Sequence, residues 1–146
     1  MAHLMIVPHV NAEARSKFFF QISAGVGKNR PNNKEDVAIV QFMLSVVQGI
    51  YISRANPVTM DGIAGSLTIA AITEFQTFLR NQNMAPGLVP DGAVDPTIAP
   101  IGARRVISTL GHLNLRASMH IFHWPDIRQE PGFLTGKVGF PRLFEG

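Results

Sequence analysis

Three histidines crowd the C-terminal part of the chain, at His112, His120 and His123. Clustered imidazoles can hold zinc, which takes three or four N, O or S ligands at about 2.0–2.3 Å. His120 and His123 are three apart, a spacing that aligns two rings only on a helix. The run Met119-His120-Ile121-Phe122-His123-Trp124 reads as extended, and no His-Glu-x-x-His occurs. The chain has no cysteine, which excludes thiolate ligands, disulfides and a cysteine nucleophile. Glycoside cleavage needs two carboxyl groups roughly 5–9.5 Å apart, one of them with a raised pKa. Asp61, Asp91 and Asp95 lie in turn sequences, where their oxygens already have backbone to bond. Glu74 falls on the polar side of a helical pattern, and Glu13, Glu130 and Glu145 have no motif around them. Gly25-Val26-Gly27-Lys28 opens like a phosphate loop but lacks the remaining Gly-Lys-Ser/Thr spacing. No serine elbow is present. These residues favour binding over catalysis, so the expectation is a protein that is not an enzyme, with no cofactor and no metal.

The binding residues must be positioned by two turn-plus-helix units. In the first, Asp61-Gly62 makes a tight turn, since Asp bonds its own backbone and Gly accepts positive φ at little cost. Ser66 or Thr68 can cap the helix that follows. Leu67, Ala71, Ile72, Phe75, Phe78 and Leu79 form its apolar stripe at helical spacing. Gln76 interrupts the stripe; pointed inward, its amide must bond a neighbouring loop. The second unit, Val89 to Ala99, repeats the device with one residue fewer: Asp61 and Thr68 are seven apart, Asp91 and Thr97 six. Asp95-Pro96 there suits a helix start. Upstream, Asn32 or Asn33 can cap a helix whose first turn carries Glu35 and Asp36. Its apolar face holds Val37, Val40, Leu44 and Val47, with Gln41 as the odd amide. The pattern predicts three helices, near 34–48, 66–82 and 96–115.

This ordered set resembles the peptidoglycan-binding-domain-like helical module, and is closest to phage-like and secretion-associated members. The residues that carry it are Val26-Gly27-Lys28-Asn29-Arg30-Pro31, then Asp36-Val37, Val40-Gln41 and Leu44. Asp61-Gly62, Gly65, Thr68, Ala71 and Phe75-Gln76 follow, and Pro90-Asp91-Gly92-Ala93-Val94-Asp95-Pro96 resembles the second unit. The likeness spans roughly residues 25–101. It implies a mainly α fold, a small three-helix bundle with Asp-Gly turn repeats. It also implies a non-catalytic module that recognises cell-wall peptidoglycan or its stem peptide and targets a hydrolase, toxin or envelope machine. The alternative is a protein–protein adaptor of a bacterial secretion or effector system built on the same fold. The expected ligand-binding residues are Asp61, Gly62, Gln76, Arg80, Asp91 and Thr97. Helix N-termini attract carboxylates, and Arg80 can grip one with two prongs.

Composition narrows the partners. With 13 basic and 10 acidic side chains the net charge is +3, mild enough to suit an anionic polymer. No Lys/Arg block interleaves with aromatics, so nucleic acid is not expected. No apolar run approaches the ~20 residues of a membrane span. Residues 1–24 read as an N-terminal arm, 25–115 as the helical domain and 116–146 as an extended C-terminal arm, the arms being candidate surfaces for a protein partner. The N-terminus lacks the charged and apolar regions of a cleaved signal. The expectation is synthesis in the cytoplasm and, where export occurs, a dedicated secretion system delivering to the periplasm or a target cell.

Overall fold

A computed structural model describes residues 3–6, 18–55, 57–96 and 108–119. Strand β1 (His3–Ile6) pairs antiparallel with β2 (Phe18–Gln21), Leu4 opposite Phe20. Strand β3 (Val26–Gly27) leads into helix α1 (Lys34–Val47), followed by α2 (Ser66–Asn81), strand β4 (Ala93–Val94) and α3 (Thr109–Ser118). β3 and β4 form a second antiparallel pair, Val26 opposite Val94. The described fold is mainly α, with three helices and two very small antiparallel sheets.

α1 is the centre of the core. Val37 to Leu44 are all buried, as is Val47, so the helix is enclosed on most sides. α2 contributes Ala71, Ile72, Phe75 and Leu79, and α3 contributes Leu110, Leu113 and Ala117. Phe20 and Ile22, placed by sequence in an N-terminal arm, belong to this same core. Asn114 fastens β2 to α3: the Phe20 N–H donates to its Oδ1 at 2.6 Å, and its amide donates to the Phe20 carbonyl at 3.1 Å. The buried Asp36 carboxylate holds the next stretch, accepting from the Ser23 N–H and hydroxyl and from the Ala24 N–H.

Several local expectations need correction. Neither asparagine caps α1. Asn33 occupies the cap position without a side-chain bond, and Asn32 turns back, at φ 57°, to bond both backbone groups of Gly27. α2 is preceded by Gly65 and no side chain caps it; Ser66 is its first residue, and the Thr68 hydroxyl is taken by Gln41. Leu67, assigned to the apolar stripe, is 52% exposed. The third helix starts at Thr109 and runs to Ser118, not from 96 to 115; Asp95 and Pro96 are not helical. Its cap is Ser108, whose hydroxyl accepts from the Gly111 N–H at 3.0 Å. Ile50 and Tyr51 lie in a turn, closed by a bridge between Gln48 and Ile52.

Candidate functional site

The two buried glutamines organise two copies of one arrangement. Gln41, on α1, is 1% exposed. Its amide nitrogen faces three acceptors, the Asp61 carboxylate at 2.9 Å, the Ile63 carbonyl at 2.9 Å and the Thr68 hydroxyl at 3.0 Å. Its oxygen accepts from the Asp61 and Gly62 N–H groups at 3.1 and 2.9 Å. Gln76, on α2 and also 1% exposed, does the same one unit later. Its nitrogen meets the Asp91 carboxylate, the Ala93 carbonyl and the Thr109 hydroxyl, each at 3.0 Å. Its oxygen accepts from the Gly92 N–H at 3.0 Å.

The turns match as well. Asp61 Oδ1 accepts from the Ile63 N–H and Asp91 Oδ1 from the Ala93 N–H, the two-residue loop by which Asp folds a turn on itself. Gly62 has φ 76° and Gly92 has φ 73°, left-handed values that cost a residue with a Cβ roughly 1–2 kcal/mol. In each unit, then, a glutamine from the preceding helix clamps an Asp-Gly turn to the first turn of the next helix. A threonine on that next helix completes the clamp.

Each clamp sits behind a shallow depression. The first, about 200 Å³, is lined by Pro57, Val58, Thr59, Asp61, Ile63 and the start of α2 from Gly65 to Thr68. The second, about 220 Å³, is lined by Leu88, Val89, Asp91, Ala93, Asp95, Pro96, Ser108 and Thr109, with Gln76 at its back. Aliphatic side chains stand exposed on both: Ile63 (68%) and Leu67 on the first, Val89 (69%) on the second. Arg30 closes one side of the second turn. Its guanidinium grips Asp95 with two prongs, at 2.6 and 3.1 Å, and lies 3.8 Å from Asp91. The Asp95 hydrogen bond and charge raise the pKa of Arg30 above its ordinary value.

The residues expected to bind ligand thus divide between two places. Asp61 lines the first depression, with Gly62 next to it in the turn but not part of the lining, and Asp91 and Gln76 line the second. Gly62 and Gln76 are buried, and both are spent on the clamps, so they shape the surface rather than touch a ligand directly. Arg80 is exposed in the last turn of α2, about 21 Å along the axis from Ser66 at ~1.5 Å per residue, and lines neither depression. Thr97 lies outside the described residues; the hydroxyl that answers Thr68 is that of Thr109.

Sequence reasoning missed Thr109 because the two units were matched by local spacing, whereas Thr109 stands 18 residues beyond the turn residue Asp91 and 33 beyond its partner Gln76. It missed Ile63 and Val89 as surface groups, although an aliphatic residue beside an Asp-Gly turn was a visible cue. Of the histidines, His112 is buried on α3, and His120 and His123 lie outside the described residues. Among the described residues no group of three or more His, Asp or Glu is placed to hold a metal, and no helix is long and apolar enough to cross a membrane. Compared with protein-family models, curated proteins and solved structures, the chain finds no match.

Proposed function

We propose that this chain is a non-catalytic cell-wall recognition module with the three-helix, turn-repeat architecture of the peptidoglycan-binding-domain-like group. In this reading the two depressions beside the Asp-Gly turns are the contact surface for peptidoglycan. The observation that carries it is the duplicated clamp, Gln41 with Asp61 and Thr68, then Gln76 with Asp91 and Thr109. A rigid, internally satisfied turn presented twice, each time with exposed aliphatic groups at its edge, suits a polymer of repeating units. Stem peptides offer methyl groups for Ile63, Leu67 and Val89. They also offer carboxylates for the first turn of α2, whose N–H groups no side chain caps. The module would hold an attached or associated hydrolase, toxin or envelope machine against the wall, and would do no chemistry of its own.

Mapping amide shifts on adding soluble muropeptides tests this. The expected result is saturable movement confined to Gly65–Thr68 and Val89–Ala93; amides that stay still at millimolar muropeptide overturn the reading. The same exposed aliphatic groups favour one second reading, a protein–protein adaptor that docks through the two turns. It gains if muropeptides leave those amides unmoved while Leu67→Asp abolishes a specific protein complex.

A further inference from the structure

A different face of α2 carries a second candidate site. Glu74, Thr77, Phe78, Asn81 and Gln82 recur at three- and four-residue steps, so they share one face, beside the core face of Ile72, Phe75 and Leu79. Together with Tyr51 they line a cleft of about 330 Å³, at the small end of ligand pockets. Tyr51 is 9% exposed, and its ring is fixed edge-on by Phe75 at 5.8 Å and Phe78 at 5.2 Å. Its hydroxyl, however, has no hydrogen-bond partner among the described residues. A tyrosine this buried ordinarily satisfies its O–H, and Tyr51 is one of the residues that line the cleft.

The rest of the lining is chemically unspent in the same way. The side-chain amides of Asn81 and Gln82 are exposed and make no hydrogen bond among the described residues. Glu74 spends one oxygen on the Ser53 N–H at 2.9 Å and keeps the other. Phe78 is only half-buried and leaves part of its ring in the cleft. We propose that this cleft binds a neutral sugar ring. The C–H edges of a pyranose carry slight positive charge and rest well against an aromatic surface. Its hydroxyls need donors and acceptors in a ring around that surface, and Tyr51, Glu74, Asn81 and Gln82 supply both. A cationic guest fits less well, because the Arg116 guanidinium already stands over the Tyr51 ring at 5.9 Å and repels a second positive charge. The inference rests on the cleft's own residues and is independent of wall binding at the turns.

The test is an amide-shift titration of the full chain with chitotetraose, and in parallel with n-butylammonium. Chitotetraose should saturate with shifts at Tyr51, Phe78, Asn81 and Gln82. Tyr51→Phe, which removes only the unpartnered hydroxyl, should weaken binding by about threefold to tenfold, the worth of one neutral hydrogen bond. Asn81→Ala with Gln82→Ala should weaken it further, and neither variant should lower the melting temperature. No shift at millimolar chitotetraose overturns the proposal. So do shifts confined to the turns, an unchanged affinity in both variants, or n-butylammonium binding in preference. Chitotetraose bound in the cleft while muropeptides leave the turns unmoved keeps this site and removes the wall-recognition reading of the turns.

Discussion

Truncating the two glutamines should unfold the turns they clamp, and the structure says which truncation costs more. In Gln41→Ala two buried groups lose their partner, the Gly62 N–H and the Thr68 hydroxyl; Asp61 and Ile63 are exposed and turn to water. In Gln76→Ala three lose it, the Gly92 N–H, the Ala93 carbonyl and the Thr109 hydroxyl, all on buried residues. At roughly 1–3 kcal/mol per buried unsatisfied group, the ranges are about 2–6 and about 3–9 kcal/mol. Relaxation and entering water pull both toward their lower ends. The expected losses are about 2–3 kcal/mol for Gln41→Ala and about 3–5 kcal/mol for Gln76→Ala, a large part of the ~5–15 kcal/mol that holds a typical domain together. Urea denaturation followed by far-UV circular dichroism measures both, provided the m-value stays constant. Gln76→Met keeps the volume and loses only the bonds, so it should retain most of the deficit. A loss below about 1 kcal/mol for Gln76→Ala would show that the clamp is not what fixes the turn.

Other outcomes follow from the same geometry. Gln76→Glu sets a carboxyl about 3.0 Å from Asp91 Oδ1 and the Ala93 carbonyl, raising its folded pKa above the unfolded value of about 4.3. The variant's deficit should therefore be smallest below pH ~4 and grow as the pH rises through the folded pKa; a deficit that shrinks with rising pH refutes the arrangement. Phe75→Ala empties a fully buried ring site and should cost about 3–5 kcal/mol in the same denaturation assay. Gly27→Ala, at φ 113° with a Cβ that would meet the Gly92 carbonyl oxygen, should be far more damaging by thermal melting than Gly65→Ala, which meets only open space. Arg80→Ala, on an exposed position, should change stability by no more than about 0.5 kcal/mol and leave muropeptide shifts at the turns unchanged.

The parts of the fold readable from sequence were those set by local rules. α1 and α2 lie within a residue of their expected ends because a long apolar period is hard to mistake. The inward glutamines were visible as lone amides in apolar stripes, and the Asp-Gly turns as turn chemistry. What escaped was set by distance along the chain. β3 and β4 are two residues each, too short to show alternation. Asp95-Pro96 has the local look of a helix start, but the helix that completes the second clamp begins at Thr109, and no neighbouring residue announces that separation. Leu67 obeys the helical period yet sits in the first turn, beyond the reach of the core. The candidate surface was legible as two turns. Its aliphatic edge and the cleft around Tyr51 emerged only from packing.

Co-sedimentation of the full chain with purified peptidoglycan sacculi tests the central claim most directly. It should be run as a binding isotherm beside a Leu67→Asp, Val89→Asp double variant. Both positions are exposed, and Asp in the first turn of α2 favours the helix, so the variant keeps its fold. The unaltered chain should pellet saturably with sacculi, and the variant should bind them far more weakly at an unchanged melting temperature. An unaltered chain left in the supernatant, or a variant that pellets equally, contradicts the claim.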